Sequence, residues 1–280
     1  MRDEIYPNGP SLRENQYFFM KISIITATFN SGATVRDTLE SVLRQNYKNY
    51  ELIIKDGGSK DNTLEICQEY EPAFEGRMKI ISCPDRGIYD AMNQGIKAAT
   101  GDVVGILNSD DLYIDENILG DIAFVFEKND VGCVYGNLYF VDAQDTNKVT
   151  RRWIGSQHTK GAFQKGWHPA HPTFYAKREY YKQFGGFDTT FDVSADFELM
   201  LRFIEKNEIK SLYMDRYFIR MRIGGESTGS LSKIITGNKN VLRAFKKNGI
   251  EVSLLYPIYR LLPKVIDKIL YILSLRKPTE

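Results

Sequence analysis

An α/β fold with a mostly parallel central sheet flanked by helices follows from three features of the sequence. Between residues 21 and 112 an apolar run, a polar loop and a helical stretch recur in that order, as parallel βαβ units do. One run, Val103-Val104-Gly105-Ile106-Leu107, is apolar throughout instead of alternating, as a strand covered on both faces is. The chain has 280 residues, 42% hydrophobic and 26% charged, which fits one large domain with an appendage.

Residues 1–20 are polar, carry Pro7, Asn8, Gly9 and Pro10, and read as a leader outside the core. Residues 21–28 form the first strand and end in Phe29-Asn30-Ser31-Gly32, turn chemistry that also starts a helix. Val35, Leu39, Val42 and Leu43 follow at helical spacing. Residues 51–55 are the second strand, stopped by Asp56-Gly57-Gly58-Ser59, and a helix from Asp61-Asn62 carries Leu64, Ile66 and Cys67. Residues 78–82 are the third strand, Pro84-Asp85-Arg86-Gly87 its loop, and 88–99 the next helix. Residues 102–107 are the fourth strand, ending in Asn108-Ser109-Asp110-Asp111. Right-handed crossovers bring these four loops to the carboxyl edge of one sheet, around one crevice, where open α/β sheets bind ligands.

The second half is more mixed. Residues 131–142 read as a strand, 148–153 as its antiparallel neighbour, and 171–176 as extended chain. A short helix over 178–184 stops at Gly185-Gly186. Ser194 offers an N-cap to a helix over 195–203. Residues 211–223 are strand-like, Gly224–Gly229 a mobile loop and 231–247 a helix. Over 254–275, Leu261, Leu262, Val265, Ile266, Ile269 and Leu273 share one face, while Arg260, Lys264, Asp267 and Lys268 fall on another. That face suits a membrane interface, the chain's own domain or a second subunit.

Several function classes are disfavoured. The net charge of +1 gives no global case for nucleic acid as a partner. Cys67, Cys83 and Cys133 are scattered and odd in number, so neither a disulfide framework nor a zinc knuckle is indicated, and they fit a reducing cytosol. His168 and His171 lack the cysteines that would complete a zinc site. No Gly-x-Gly-x-x-Gly follows a strand and no Walker loop is present. No apolar run is long enough to span a bilayer. Asp110-Asp111 remains open between a turn that caps a helix from Asp115 and a ligand pair for a hard divalent ion.

Four stretches in order narrow the choice: Thr26-Ala27-Thr28-Phe29-Asn30, residues 56–63 (DGGSKDNT), residues 85–96 (DRGIYDAMNQGI) and Asn108-Ser109-Asp110-Asp111. Together they resemble the nucleotide-sugar-binding half of a family 2 glycosyltransferase with the GT-A fold, closest in flavour to bacterial surface-polysaccharide enzymes of the colanic-acid type. The resemblance covers residues 21 to about 230. It implies a GT-A domain over 21–230, with a donor half at 21–112 and an acceptor half at 113–230, followed by a helical extension at 231–280. It also implies inverting transfer of one sugar, most simply from a UDP-sugar, to a growing glycan or lipid-linked oligosaccharide. The reaction would run in the cytoplasm, peripheral to the inner face of the plasma membrane. Two rivals stand beside it: a nucleotidyltransferase on a similar sheet, whose Gly-rich basic signature is absent, and a non-catalytic sugar-nucleotide or glycan-binding module.

Site residues follow from the same resemblance. Thr26, Thr28, Asn30, Asp56, Gly58, Asp85, Arg86, Asn93, Asn108 and Ser109 are expected to hold the donor. Asp56 could accept a uracil imide N–H, or close an Asx turn with Gly58. Arg86 could fork onto a diphosphate, or be a solvated loop charge. Asp110 maps to the last Asp of the family's Asp-x-Asp motif and is the expected Mg2+ or Mn2+ ligand, with Asp111 as a weaker one. Asn108 replaces the first Asp and suits a hydroxyl better than a metal. Asp196 maps to the general base, and a helix start favours its ionised form; the alternative is a first-turn Asp that stabilises its own helix. His171 resembles a histidine near the acceptor, or is structural. Trp167, Tyr175 and Phe191 offer sugar-stacking surface, or pack.

Overall fold

A computed structural model of the chain describes residues 19–224, 231–253 and 255–256. The leader over 1–18, residues 225–229 of the expected mobile loop, and the amphipathic pattern beyond residue 256 lie outside the described residues.

The first half follows the expected order. Strands β1 (Ile22–Thr28), β2 (Tyr50–Asp56), β3 (Met78–Ser82) and β4 (Val103–Ile106) alternate with helices α1 (Val35–Leu43), α2 (Thr63–Tyr70) and α3 (Ile88–Ala98). These strands pair in parallel as β3-β2-β1-β4. Thr28 lies opposite Asp56, and Asp56 opposite Ser82. The register therefore ends three strands at one level, and their loops stand in a row.

β5 (Leu112–Tyr113), α4 (Ile118–Lys128), β6 (Cys133–Val141), β7 (Val149–Trp153), β8 (Tyr175–Lys177), α5 (Arg178–Phe184), α6 (Ala195–Met200), β9 (Ser211–Arg222) and α7 (Leu231–Lys247) complete the described elements. The sheet runs β3-β2-β1-β4-β8-β6-β9-β5, with β7 paired to β6. β8 is antiparallel to both β4 and β6, which turns β6 parallel to β4, and β9 pairs parallel to β6. The carboxyl ends of β6 and β9 thus reach the same edge as the four loops. This is the expected architecture, a mostly parallel sheet with a small antiparallel addition.

Apolar spacing fixes which helix covers which face. Val35, Leu39 and Val42 of α1 and Ile118, Leu119, Ile122 and Phe126 of α4 pack on one side of the sheet with Ile24, Leu52 and Val103. Ala91 and Met92 of α3 and Phe197 and Leu199 of α6 pack on the other with Ile25, Ile53 and Val104. Each of these side chains larger than alanine contributes ~1.5–3 kcal/mol by leaving water. Gly95 sets how closely α3 lies: a Cβ there would stand 2.3 Å from Ile25 Cγ2. Val241, Ala244 and Phe245 of α7 join the second layer, Phe245 lies 5.6 Å ring to ring from Phe197, and Asn248 donates to Glu198 at 3.1 Å. The core therefore continues past residue 230, where the expected domain boundary fell.

Two local expectations change. The chain over 171–176 is not extended throughout: His171–Thr173 forms a 3-10 turn before β8, because Pro172 fixes a turn-compatible φ and has no N–H to pair. The helix expected from Asp115 begins at Ile118, because the chain after Asp111 first pairs with β9, and Ile114 N donates to Phe218 O at 2.9 Å.

Candidate active site

The loop after β2 is built by Asp56. Its carboxylate accepts from Gly58 N at 3.0 Å, Ser59 N at 3.1 Å and Ser82 Oγ at 2.7 Å, as well as from Ser59 Oγ. Burial alone would raise this carboxyl, but the bonds from Ser59 and Ser82 outweigh it and hold it below the usual carboxylate range. The residue is 1% exposed. The Asx turn is therefore the arrangement found, with Gly58 at φ +88°. An imide contact at Asp56 would have to exchange for one of the bonds that build this loop.

Beside it stands a carboxylate that is less enclosed. Asp85 accepts from Gly87 N at 3.0 Å and from the ammonium of Lys55 at 3.2 Å. That ammonium is fully buried and also donates to Asp56 O at 2.7 Å and Cys83 O at 2.6 Å. Gly57 leaves room for Asp85, because a Cβ at 57 would come within 2.7 Å of Asp85 Oδ2. The Phe29 ring borders the same spot, 3.4 Å from that Cβ position, and is 60% exposed. Arg86 is 87% exposed with only a 3.8 Å approach to Asp90, as a solvated loop charge would be.

Thr26 is enclosed in the sheet at 0% exposure, so the expected donor contact there has no reachable atom and is corrected. Thr28 is also buried, and its hydroxyl, at the strand end, has no hydrogen-bond partner. Asn30 adopts the left-handed φ of +50°. It ties the first loop to the second: its amide N donates to Ser59 Oγ at 2.8 Å, and its side-chain oxygen accepts from Lys60 N at 2.9 Å.

The loop after β4 is held from three sides. Ser109 shares a 2.9 Å hydroxyl bond with Ser31, and its carbonyl accepts from Thr34 at 3.0 Å. Asn108 donates to Asp111 Oδ2 at 2.8 Å. Arg222, buried at the end of β9, donates to Asp110 O at 2.7 Å and pairs with Asp37. Burial raises the Asp110 carboxyl, and the Arg222 charge offsets part of that. Asp111 is driven well upward, first by burial and then by the Asp110 charge beside it. Its Oδ1 has no hydrogen-bond partner. Two desolvated carboxylates, one with an orphaned oxygen, form a donor set that fits a hard divalent cation completed by diphosphate oxygens and water. Among the described residues no group of three or more His, Cys, Asp or Glu side chains could hold an ion.

Asp196 opens α6, and the chain reaches it through Ser194 at φ +70°, a conformation that costs a non-glycine residue about 1–3 kcal/mol. No side-chain cap bond forms at Ser194. The Tyr89 hydroxyl, from the first turn of α3, reaches Asp196 Oδ1 at 3.4 Å. Tyr89 stacks on Phe187 at 5.6 Å, and His171 meets the other side of the group edge-on, 5.5 Å from Phe187. Burial lowers the pKa of His171, with Asp196 opposing, so its imidazole is neutral at pH 7. Asn93 spends both ends of its amide on the Phe187 backbone, each at 2.8 Å. Its expected donor contact is therefore corrected: it clamps α3 to the chain that leads into α6.

Sequence reasoning missed Phe29, Lys55, Tyr89 and Arg222 as site residues. Phe29 and Tyr89 stood inside the quoted motifs, and Lys55 was visible as a charge ending an apolar strand. Arg222 gave no local signal. Tyr175 and Phe191 are buried at 0% and 1%, so they pack and are not stacking surface. Trp167 packs against Tyr135 and Phe163.

The family model described as Glycosyl transferase family 2 matches residues 23–207. The PGL/p-HBAD biosynthesis glycosyltransferase of Mycobacterium bovis (strain BCG / Pasteur 1173P2) is 29% identical over 247 residues, 88% of this chain and 92% of that protein. The glycosyltransferase GlyG of Streptococcus pneumoniae is 32% identical over 127 residues, 45% of this chain and 42% of its own length. Among solved structures, S. aureus TarS 1-349 in complex with UDP-GlcNAc superposes with a TM-score of 0.66 at 18% identity, covering 83% of this chain and 68% of that one. The mannosyltransferase PcManGT from Pyrobaculum calidifontis, in complex with GDP-Man and Mn2+, gives 0.60 at 20% identity, covering 86% and 67%.

Proposed function

The chain belongs to glycosyl transferase family 2, and on that premise we propose that it moves one sugar from a nucleoside diphosphate donor, a UDP-sugar, to a growing glycan with inversion. The observation that carries this reading is the row of loops ending at the Asp110-Asp111 pair, with the Asp85 loop leading directly into the helix whose Tyr89 meets Asp196. The nucleotide sugars bound by TarS and PcManGT support a donor of this class.

In this reading the base lies against exposed Phe29, beside Asp85, and Asn108 and Ser109 face the ribose and the diphosphate. A Mg2+ or Mn2+ ion at Asp110, with Asp111 next to it, would neutralise charge on the departing nucleoside diphosphate. The acceptor hydroxyl attacks the anomeric carbon from the face opposite the leaving group. Asp196 takes its proton as the new bond forms, because a neutral hydroxyl is a poor nucleophile. His171, neutral and near the same carboxylate, lines the acceptor side. The acceptor is a saccharide or lipid-linked oligosaccharide of a bacterial surface polysaccharide, and the basic amphipathic pattern over 254–275 brings the enzyme to a membrane surface.

The test is a titration of UDP-sugars with and without Mn2+ against the parent chain and Asp110→Ala. Mn2+ is expected to tighten binding at least tenfold in the parent and not at all in the variant. Superimposable curves with and without Mn2+ in the parent would refute the metal reading. Failure of every nucleoside diphosphate sugar to bind would refute the donor reading.

A further inference from the structure

The hydroxyl of Tyr89 meets Asp196 and takes no part in the reaction as proposed. We propose that Tyr89 is a positioning residue for Asp196, its hydroxyl holding the carboxylate in one orientation and in its proton-accepting form. The inference rests on reading Asp196 as the base.

The geometry is specific. The Tyr89 oxygen lies 3.4 Å from Asp196 Oδ1, at the start of α6. A phenol has one proton to give and lone pairs to receive. An ionised carboxylate can only accept, so in this contact the phenol gives its proton to Asp196. Burial and the Asp196 charge both push the Tyr89 hydroxyl far upward, so it keeps its proton and stays a donor to the carboxylate throughout the pH range of an enzyme assay.

The ring is held more firmly than the hydroxyl. It stacks on Phe187 at 5.6 Å, and Phe187 is pinned by two backbone bonds to Asn93, one turn further along the same helix. Arg202 adds a second clamp, donating to the carbonyls of Phe184, Gly185 and Gly186 while paired with buried Glu198. α3 thus carries both the phenol and the clamp on the chain that delivers Asp196.

The need for such a residue is local. Ser194 brings no capping bond and sits in a left-handed conformation, so α6 lacks the usual side-chain device for fixing its first turn. Two titratable groups from other elements act on the carboxylate: Tyr89 from α3 and His171 from the 3-10 turn. Of these, only Tyr89 has a hydrogen bond directed at it. Because α3 starts at the Asp85-Arg86-Gly87 loop, the residue that aims the base is tied to the loop expected to receive the nucleoside.

The experiment is a carboxyl 13C NMR titration of the full-length chain labelled at aspartate, the Asp196 resonance being identified by its loss in Asp196→Asn. In Tyr89→Phe the ring stacking stays and only the donor is lost. The Asp196 titration midpoint is expected to move up by roughly half a unit or more. Transfer should fall about tenfold in kcat with the donor KM unchanged. 3-Fluorotyrosine at position 89, a stronger donor of nearly the same shape, should move the midpoint the other way, and it serves if Tyr89→Phe does not fold. A midpoint unmoved by either replacement overturns the inference, whatever happens to kcat. Full activity in Asp196→Asn would instead overturn the base assignment beneath it, so the two failures are separable.

Discussion

Lys55→Met is the perturbation whose consequence the structure defines most fully. The Lys55 ammonium is wholly buried beneath the donor loops, with Asp56 O at 2.7 Å, Cys83 O at 2.6 Å and Asp85 Oδ2 at 3.2 Å. Methionine fills nearly the same volume but donates nothing. A buried carbonyl, a partly buried carbonyl and a partly buried carboxylate then lose their shared partner. Each orphaned carbonyl costs ~1–3 kcal/mol, and breaking a buried ion pair by deleting one member costs ~3–5 kcal/mol. These do not add, because all three groups relax together and Asp85 can turn towards water, so about 3–5 kcal/mol in total is expected. Urea unfolding at pH 7 measures it directly. Donor binding should weaken by tenfold or more, since Asp85 loses the contact that fixes it beside Gly57 and Phe29. The companion variant Asp85→Asn should cost stability less, because the carbonyls keep their donor, yet weaken donor binding comparably. A Lys55→Met chain destabilised by under 1 kcal/mol with unchanged donor affinity would refute the claim that this ammonium organises the loops.

Other consequences follow at the opposite edge and at the acidic pair. Burial would raise the Glu51 carboxyl, but bonds from Ser23, Thr100 and Lys21 outweigh it and pull it down to about 2. A depressed folded-state pKa stabilises the chain above the ordinary glutamate range and is lost as pH falls towards 2. Glu51→Gln should therefore cost about 2–3 kcal/mol at pH 7 and almost nothing near pH 2, and equal costs at both would contradict the bonding described. For Asp111 the sign reverses, because its folded-state pKa is raised and ionising it opposes folding as pH rises. Asp111→Asn should stabilise the metal-free chain at pH 7 and reduce the thermal shift produced by Mn2+. A metal-free variant that melts below the parent would contradict that account.

The first half of the fold was legible because its signals are local. A strand buried on both faces must be apolar, and the loops of Gly, Asn, Asp and Ser after β1, β2 and β4 mark where the chain leaves the sheet. The same locality explains the errors. An Asp two residues before a glycine reads equally as a ligand contact and as an Asx turn, and only the positions of Ser59 and Ser82 decide for the turn at Asp56. Asn93 looked like part of a binding motif, but its partner Phe187 lies 94 residues away. Tyr89 and Asp196 are 107 residues apart, and Arg222 and Asp110 are 112 apart. No periodicity records such pairs, since they exist only once β8 has reversed and β6 and β9 have joined the sheet. Ser194 was read correctly as the residue before α6, though its left-handed backbone and absent cap bond depend on the packing around it.

The most direct test of the central claim compares Asp196→Asn with the parent chain, measuring donor affinity and sugar transfer on the same preparations. The amide keeps the shape of the side chain but cannot take a proton, so donor affinity should stay within about twofold while transfer falls by 10²-fold or more. Transfer at the parental rate in Asp196→Asn would contradict the account.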